Sequence, residues 1–277
     1  MAITNFIPTI WSENLYRSLD RQYIGVANCS RDYEGEIKNL GSSVKICGVG
    51  SINISDYTKN SDMLAPQTLN DTVKELVIDQ AKYFNFQIDD IDKAQSTPKL
   101  MEAAMRVAAE GLASTADAFV FDYISQNALH YTDHGMPTAS NILDVIINAR
   151  QKLYEFNVSD QQEIVLEVPP QVATMILKSK ITLSSDNNAA LENGYLGSFA
   201  GCKIFVSNNM PPENSDFPEN LYCLMRTKRA VAFAEQLSEI IAYRPEKRFA
   251  DAVKGLHLYG AAIVYPDELL KIRLLND

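Results

Sequence analysis

The sequence is poor in the groups that carry most enzyme chemistry. Its 277 residues include only 3 His, 4 Cys and 1 Trp. Cys29, Cys47, Cys202 and Cys223 are scattered, with no C-x-x-C pair and no metal-ligand spacing. They read as reduced thiols of a cytosolic setting, and redox chemistry finds no support. Neither a G-x-x-x-x-G-K-[ST] phosphate loop nor a G-x-S-x-G elbow occurs. No apolar run approaches the ~20 residues needed to cross a bilayer. The start, MAITNFIPTIWSENLYR, lacks basic residues followed by a continuous apolar stretch, so export is not expected. Basic charge is short too: 25 Lys and Arg face 35 Asp and Glu, a net charge of −10. That argues against a coat held on nucleic acid by cationic charge, though not against a chain that merely encloses it. There is no internal repeat and no low-complexity tract.

What is present is a folding composition, 46% hydrophobic and 22% charged, long enough for one large domain or two ordinary ones. Trp11, Leu15 and Leu19 recur every fourth residue and predict a short amphipathic helix in an otherwise irregular leader. Asn28–Gly35 reads as turn and loop. Val44 and Ile46, then Ile52 and Ile54, alternate with polar positions; Leu76 and Ile78, then Phe84, Phe86 and Ile88, do so on the far side of a polar stretch. Two period-two limbs predict a long two-stranded excursion, which is marginal alone and needs another surface, such as a neighbouring copy.

The clearest helix starts with Thr97 as N-cap and Pro98 in the first helical position, and runs to about Asn127. Met101, Met105, Ala108, Leu112, Thr115, Phe119 and Tyr123 mark its apolar side. At 1.5 Å per residue it spans ~45 Å, nearly the roughly 50 Å diameter of a compact chain of this length, which implies a slab or wedge. Gly111 within it marks a bend or a close contact. A second helix is expected over 140–156. A buried strand follows at Ile164–Val168, and Pro169-Pro170 opens a short helix through Leu177. GYLGSFAGCKIFVSN reads as a Gly-rich turn into a strand, and more strand follows in 221–233 and 249–275.

Several residues invite chemistry. His130 and His134 stand four apart with Asp133 between them, a spacing that on a helix serves one metal. Tyr131 replaces the Glu of the metalloprotease motif, and Gly135 and Pro137 follow closely, so two loop histidines are expected. A metal-dependent hydrolase is the remote alternative. Gly48-Val49-Gly50 lacks the third glycine of a dinucleotide fingerprint and reads as a twist point in the ribbon. Asp89, Asp90 and Asp92 read as a solvated junction ahead of the long helix. The segment 226–254 carries seven basic against four acidic residues. Within it Arg244, Glu246, Lys247 and Arg248 lie between aromatics, either as a solvated face or as an inter-subunit contact.

In this order the pieces resemble the major capsid proteins of tailed bacteriophages with the HK97-type fold, especially coat proteins related to that of phage P22. SRDYEGEIKNLGSSVKI, TVKELVIDQAKYFNFQIDDIDKAQ, GYLGSFAGCKIFVSNN and YRPEKRFADAVKGLHLYGAAIVYPDEL carry the likeness. The resemblance implies an α+β fold with an N-terminal arm over 1–43 and an extended β-hairpin, the E-loop, over 44–91. It also implies a peripheral domain over 92–134 and 241–277, with the long helix as spine, and an axial domain over 135–240. The implied function is self-assembly through pentamers and hexamers into an icosahedral shell around phage double-stranded DNA, in the virion, with a portal protein, no cofactor and no membrane. The chain starts almost directly in the arm, so any scaffolding protein would be separate. Trp11, Tyr16, Phe84 and Phe86 are candidate aromatic anchors between copies, with burial inside one subunit as the other reading. Lys59 lies where some relatives place a cross-linking lysine, but no partner is identifiable and no cross-link is expected. A nanocompartment shell enclosing enzyme cargo shares this fold and remains the nearer alternative.

Overall fold

The computed structural model describes residue 15, residues 23–33, 41–49, 56, 59, 71–89, 100–158, 162–179, 195–212, 220–247 and 249–275. Among these residues three sheets and three α-helices are arranged around two larger cores and one small one.

Strands β1 (Ser43–Val49) and β2 (Asp71–Val77) form an antiparallel ribbon, paired from Ser43↔Val77 to Val49↔Asp71. The expectation of one ribbon over 44–91 needs correction here. Mutual hydrogen bonds of Gly41, Ser42 and Ile78 close its base. The chain then turns at Asp79, and β3 (Gln80–Asp89) pairs with β10 (Ala250–Ile263) instead. With β9 (Val231–Tyr243) they make a sheet in the order β3-β10-β9. Alternation fixes which side chains share a face but does not choose the neighbouring strand, and the 14-residue β10 offers β3 a long ladder.

Helix α1 (Leu100–Asn127) lies against this sheet. Residues 97–99 lie outside the described residues. Its buried side runs through Met105, Ala109, Leu112, Ala113, Ala116, Val120, Phe121 and Ile124, turned from the expected stripe. Thr115 is exposed, and Ala108, Phe119 and Tyr123 are only half-buried. Small alanines at the centre let the helix approach closely, while the larger rings sit at the flank, where Phe119 meets Tyr259 edge-on at 5.3 Å. Gly111 is exposed with open space around its Cα, so no close contact explains it.

The second unit is a six-stranded sheet in the order β4-β11-β8-β5-β7-β6. Its strands are β4 (His130–Gly135), β5 (Ile164–Val168), β6 (Tyr195–Phe199), β7 (Cys202–Val206), β8 (Leu221–Thr227) and β11 (Leu269–Leu275). Helices α2 (Ile142–Glu155) and α3 (Pro170–Lys178) share its core. Pro169 and Pro170 open α3 as expected, since the first turn needs no N–H from them. The segment expected as a turn into a strand is a hairpin, with β6 before the turn at Ala200–Gly201.

The loop expected around His130 is strand β4, paired in parallel with β11 from Leu270↔His130 to Leu275↔Gly135. Occupying the edge of β11 outweighs the loop signals of Gly135 and Pro137. The strand pairings also move the expected division of the chain. Residues 231–240 belong with β10, whereas 130–135 and 269–275 join the six-stranded sheet. Among the described residues no helix is long and apolar enough to cross a membrane.

Candidate functional site

Residues 23–31 form a short, irregular stretch that threads between the two larger units. Its only helical element is a 3-10 turn, Val26–Asn28, yet Tyr23, Val26, Asn28 and Cys29 are buried. Buried backbone polar groups must find partners. Three buried carboxylates on three different elements surround the stretch: one takes backbone N–H groups directly, and the other two hold it through side chains.

The first is Asp117, in the buried face of α1. Its Oδ2 and Oδ1 accept the N–H groups of Ile24 and Val26, each at 2.9 Å, at the entry of the 3-10 turn. Burial pushes its pKa up to about 6; the backbone bonds pull it down without cancelling that effect, and nearby Glu167 adds to the rise. Gly25 is required between them, because a Cβ there would lie 2.8 Å from the ring of Phe121.

The second is Glu167 of β5, with Arg226 of β8 as its counter-ion; both side chains are 0% exposed. Arg226 donates through Nε to Glu167 Oε2 at 2.9 Å and through Nη2 to Oε1 at 2.8 Å. Nη2 also donates to the Gly25 carbonyl at 2.9 Å, and Nη1 to the Asn28 carbonyl at 2.6 Å and the Cys29 sulfur at 3.5 Å. A guanidinium has five N–H donors, and all five are used. Asn28 Nδ2 completes the ring by donating to Glu167 Oε1 at 3.0 Å.

The third is Glu235 of β9. It accepts the Tyr23 hydroxyl at 2.5 Å, Arg31 Nη2 at 2.8 Å and the buried His257 Nε2 at 2.8 Å. Burial would raise its pKa, but the bonds and charges of His257 and Arg31, with the Tyr23 bond, outweigh burial and lower it. The Tyr23 hydroxyl is driven up, chiefly by burial and then by Glu235. Ser30 exchanges backbone bonds with Val231 and Phe233, both 2.9 Å, adding one residue to the free side of β9.

The nine residues are thus fastened at once to the long helix and to both larger sheets. Each carboxylate is committed to N–H groups or cations, and Glu235 also to the Tyr23 hydroxyl, whose pKa burial and Glu235 itself drive up. The arrangement holds a chain segment in place.

The ribbon is rooted with similar care. Val44, Ile46, Leu76 and Ile78 pack on Ala232, Ala234, Leu258 and Ala262, the outer face of the three-stranded sheet. Lys74 Nζ reaches the carbonyls of Ile263 and Val264 at 3.1 and 2.7 Å. At Gly260 a Cβ would fall 2.1 Å from the Val77 carbonyl oxygen, so only glycine permits this approach.

Trp11, Tyr16 and Arg248 lie outside the described residues. Leu15, from the same predicted helix as Trp11, is helical and buried. Lys59 is exposed on a turn. Phe84 and Phe86 stack at 6.1 Å and are half-buried against their own core. Arg244, Glu246 and Lys247 are exposed where β9 turns into β10, with Arg244 bonded to Asp251 at 3.0 Å. The cationic excess of 226–254 is not all surface: Arg226 is in the core, and Arg229 pairs with Glu268.

His130 and His134 are four residues apart on a strand, hence about 13 Å, too far to share a metal. Instead His130 Nε2 meets Asp267 at 2.9 Å and its ring stacks on Phe156 at 4.3 Å. Among the described residues no group of three or more His, Cys, Asp or Glu could hold a metal ion. Sequence reading missed Asp117, Glu167, Arg226 and Glu235. Their only local signal is a single charge inside an otherwise apolar or small-residue run, as in IVLEV and LYCLMRT.

A family model described as phage capsid protein matches residues 72–272. The chain belongs to that family. It is a major capsid protein of a phage virion, a structural protein that associates with its own copies into a shell. A chain of Mycobacterium phage Che8 is similar at 26% identity and a TM-score of 0.71, with 91% of each chain covered. The capsid of Ralstonia phage GP4 is similar at 13% identity and TM-score 0.71, covering 92% of this chain and 88% of that one. A virus-like particle from Pyrococcus furiosus shares the fold at 11% identity and TM-score 0.56, covering 94% and 96%. No curated protein matches. The α+β capsid fold expected from the sequence is the one observed.

Proposed function

We propose that the chain builds an icosahedral shell of pentamers and hexamers around double-stranded DNA, with a separate scaffolding protein during assembly and a portal at one vertex. The long helix and the three-stranded sheet form the peripheral unit. The six-stranded sheet with α2 and α3 forms the axial unit, facing the five-fold and quasi-six-fold axes. The leader and the ribbon are the arms that grip adjacent subunits, with Trp11 and Tyr16 as anchors on the leader.

The observation that carries this reading is the anchoring of both arms at their roots. Desolvating ions to hold nine residues of irregular chain contributes little to stability beyond what apolar packing would give, but it fixes direction. A fixed exit direction matters for an arm that must meet a neighbour in one place. Heterologous contacts made this way close into rings, and the rings into a shell. A net charge of −10 suits a wall that must not hold the packed phosphates, so the inner face is near-neutral to negative.

The test is expression with the neighbouring genes, followed by electron microscopy and sedimentation. Closed shells of uniform size are expected, filled when the packaging genes are present. A chain that stays monomeric under every assembly condition would refute the proposal. Shells holding an enzyme encoded alongside, with no genome, would favour the nanocompartment reading.

A further inference from the structure

The outer face of the three-stranded sheet is only half covered. On β10, Leu258, Gly260 and Ala262 lie under the ribbon base, while Leu256 and Lys254, next on the same face, are exposed. On β9 the covered positions are Ala232 and Ala234, and Ile241 and Tyr243 are exposed beyond them. Tyr83 of β3, paired with Leu256, is 78% exposed. Tyr83, Phe84, Asn85, Ile241, Lys254 and Leu256, with the backbone at Gly255, line a cavity of about 440 Å3. The packing surface that seats the ribbon therefore continues past it, exposed, into a mainly apolar hollow with one amide, Asn85, and one cation, Lys254, in its lining. Bare apolar surface with a hollow marks an interaction site.

The same chain carries a side chain suited to that hollow. Phe249, at the turn between β9 and β10, is 84% exposed, more than any other large apolar residue among those described. Glu246 in the same turn is exposed and offers a carboxylate to Lys254, while Arg244 is already bonded to Asp251. Phe249 cannot fill its own cavity. Six residue steps of strand lie between it and Gly255, about 20 Å, far beyond the length of its side chain. A knob and a hole displaced on one chain make a heterologous contact between copies.

Resting on the shell reading above, we propose that Phe249 of one copy inserts into the Tyr83–Leu256 cavity of a second copy, with Glu246 against Lys254. The contact lies beside the part of the sheet that the chain's own ribbon covers and is repeated by every subunit.

The test is a Phe249→Cys/Tyr83→Cys double variant, assembled and then mildly oxidised. The two positions are too far apart within one chain for a disulfide, which needs Cα atoms within about 7 Å. A ladder of covalent oligomers on non-reducing gels is expected from shells of the double variant and from neither single variant nor the unmodified chain. Separately, Phe249→Ala should raise the protein concentration needed for assembly roughly tenfold or more, with the melting temperature of the unassembled subunit unchanged. Shells that form normally but give no ladder, or a Phe249→Ala chain that assembles at the unmodified concentration, would overturn the contact while leaving the shell reading intact. Failure of the unmodified chain to assemble at all would instead remove the shell reading on which the contact depends.

Discussion

Replacing Arg226 with methionine tests whether the buried ion cluster holds the leader in place. Methionine keeps an unbranched side chain and removes all five N–H donors together. Glu167 then keeps only the amide of Asn28 at 3.0 Å, having lost bonds of 2.9 and 2.8 Å. The Gly25 carbonyl still has the Asn28 N–H and the Cys29 thiol, whereas the Asn28 carbonyl loses its 2.6 Å donor. Leaving a buried charge without its partner costs about 3–5 kcal/mol, and an orphaned carbonyl about 1–3 more. Against a total stability of about 5–15 kcal/mol, a loss of about 4–8 kcal/mol is expected. It should appear as a lower urea midpoint of the unassembled subunit at unchanged slope. Amide exchange at Ile24 and Val26 should rise before the rest of the fold opens. The Arg226→Met/Glu167→Met pair removes the stranded anion as well and should recover about 2–3 kcal/mol of that loss. A single variant that loses less than about 1 kcal/mol, or a double variant whose loss is the sum of the two singles, would refute the account.

Asp117 predicts a pH dependence of defined sign. Its folded pKa of about 6 lies above the ordinary 3.8, so its stabilising contribution is complete below pH 3.8 and lost as pH rises through 6. Relative to Asp117→Asn, the unmodified subunit should lose about 3 kcal/mol between pH 3.5 and pH 8, read from urea midpoints; parallel curves would remove Asp117 as the source. Gly260→Ala should lift the ribbon base from its sheet, lowering stability by about 1–3 kcal/mol and deprotecting the amides of Leu76–Ile78. Unchanged exchange there would show that the close approach to Val77 is not required. Glu235→Gln should cost about 1–3 kcal/mol through its bonds to Arg31, Tyr23 and His257, with the loss localised by exchange to Tyr23–Arg31.

Elements whose logic is local were readable in the chain. The proline pair before α3, the apolar run of β5 and the period-two limbs of the ribbon each have their physics within a few neighbouring residues. Partner choice was not readable, because alternation gives faces and leaves the neighbouring strand open. Alternation alone therefore places β3 in the ribbon, and Gly135 and Pro137 alone make a loop of β4. The apolar side of α1 differs for a related reason: three- and four-residue spacing allows more than one stripe, and close approach to the sheet selects the one with Ala109, Ala113 and Ala116. The ion cluster was the least legible part. Arg226 reaches back 201 positions to Gly25, and Glu167 139 to Asn28. No window of sequence contains such a pair, and an isolated Glu in a strand gives no hint of which cation will meet it.

Because the stretch from Tyr23 to Arg31 is riveted to a helix and two sheets within nine residues, a pull on the leading end is not borne by one weak point. The load divides among three carboxylates acting in parallel, so the tether should yield all at once rather than unpeel bond by bond. Under the proposed assembly, a neighbour tugging on that end would be felt through the whole tile, which would make the leader a mechanical coupling between adjacent subunits as well as an adhesive one.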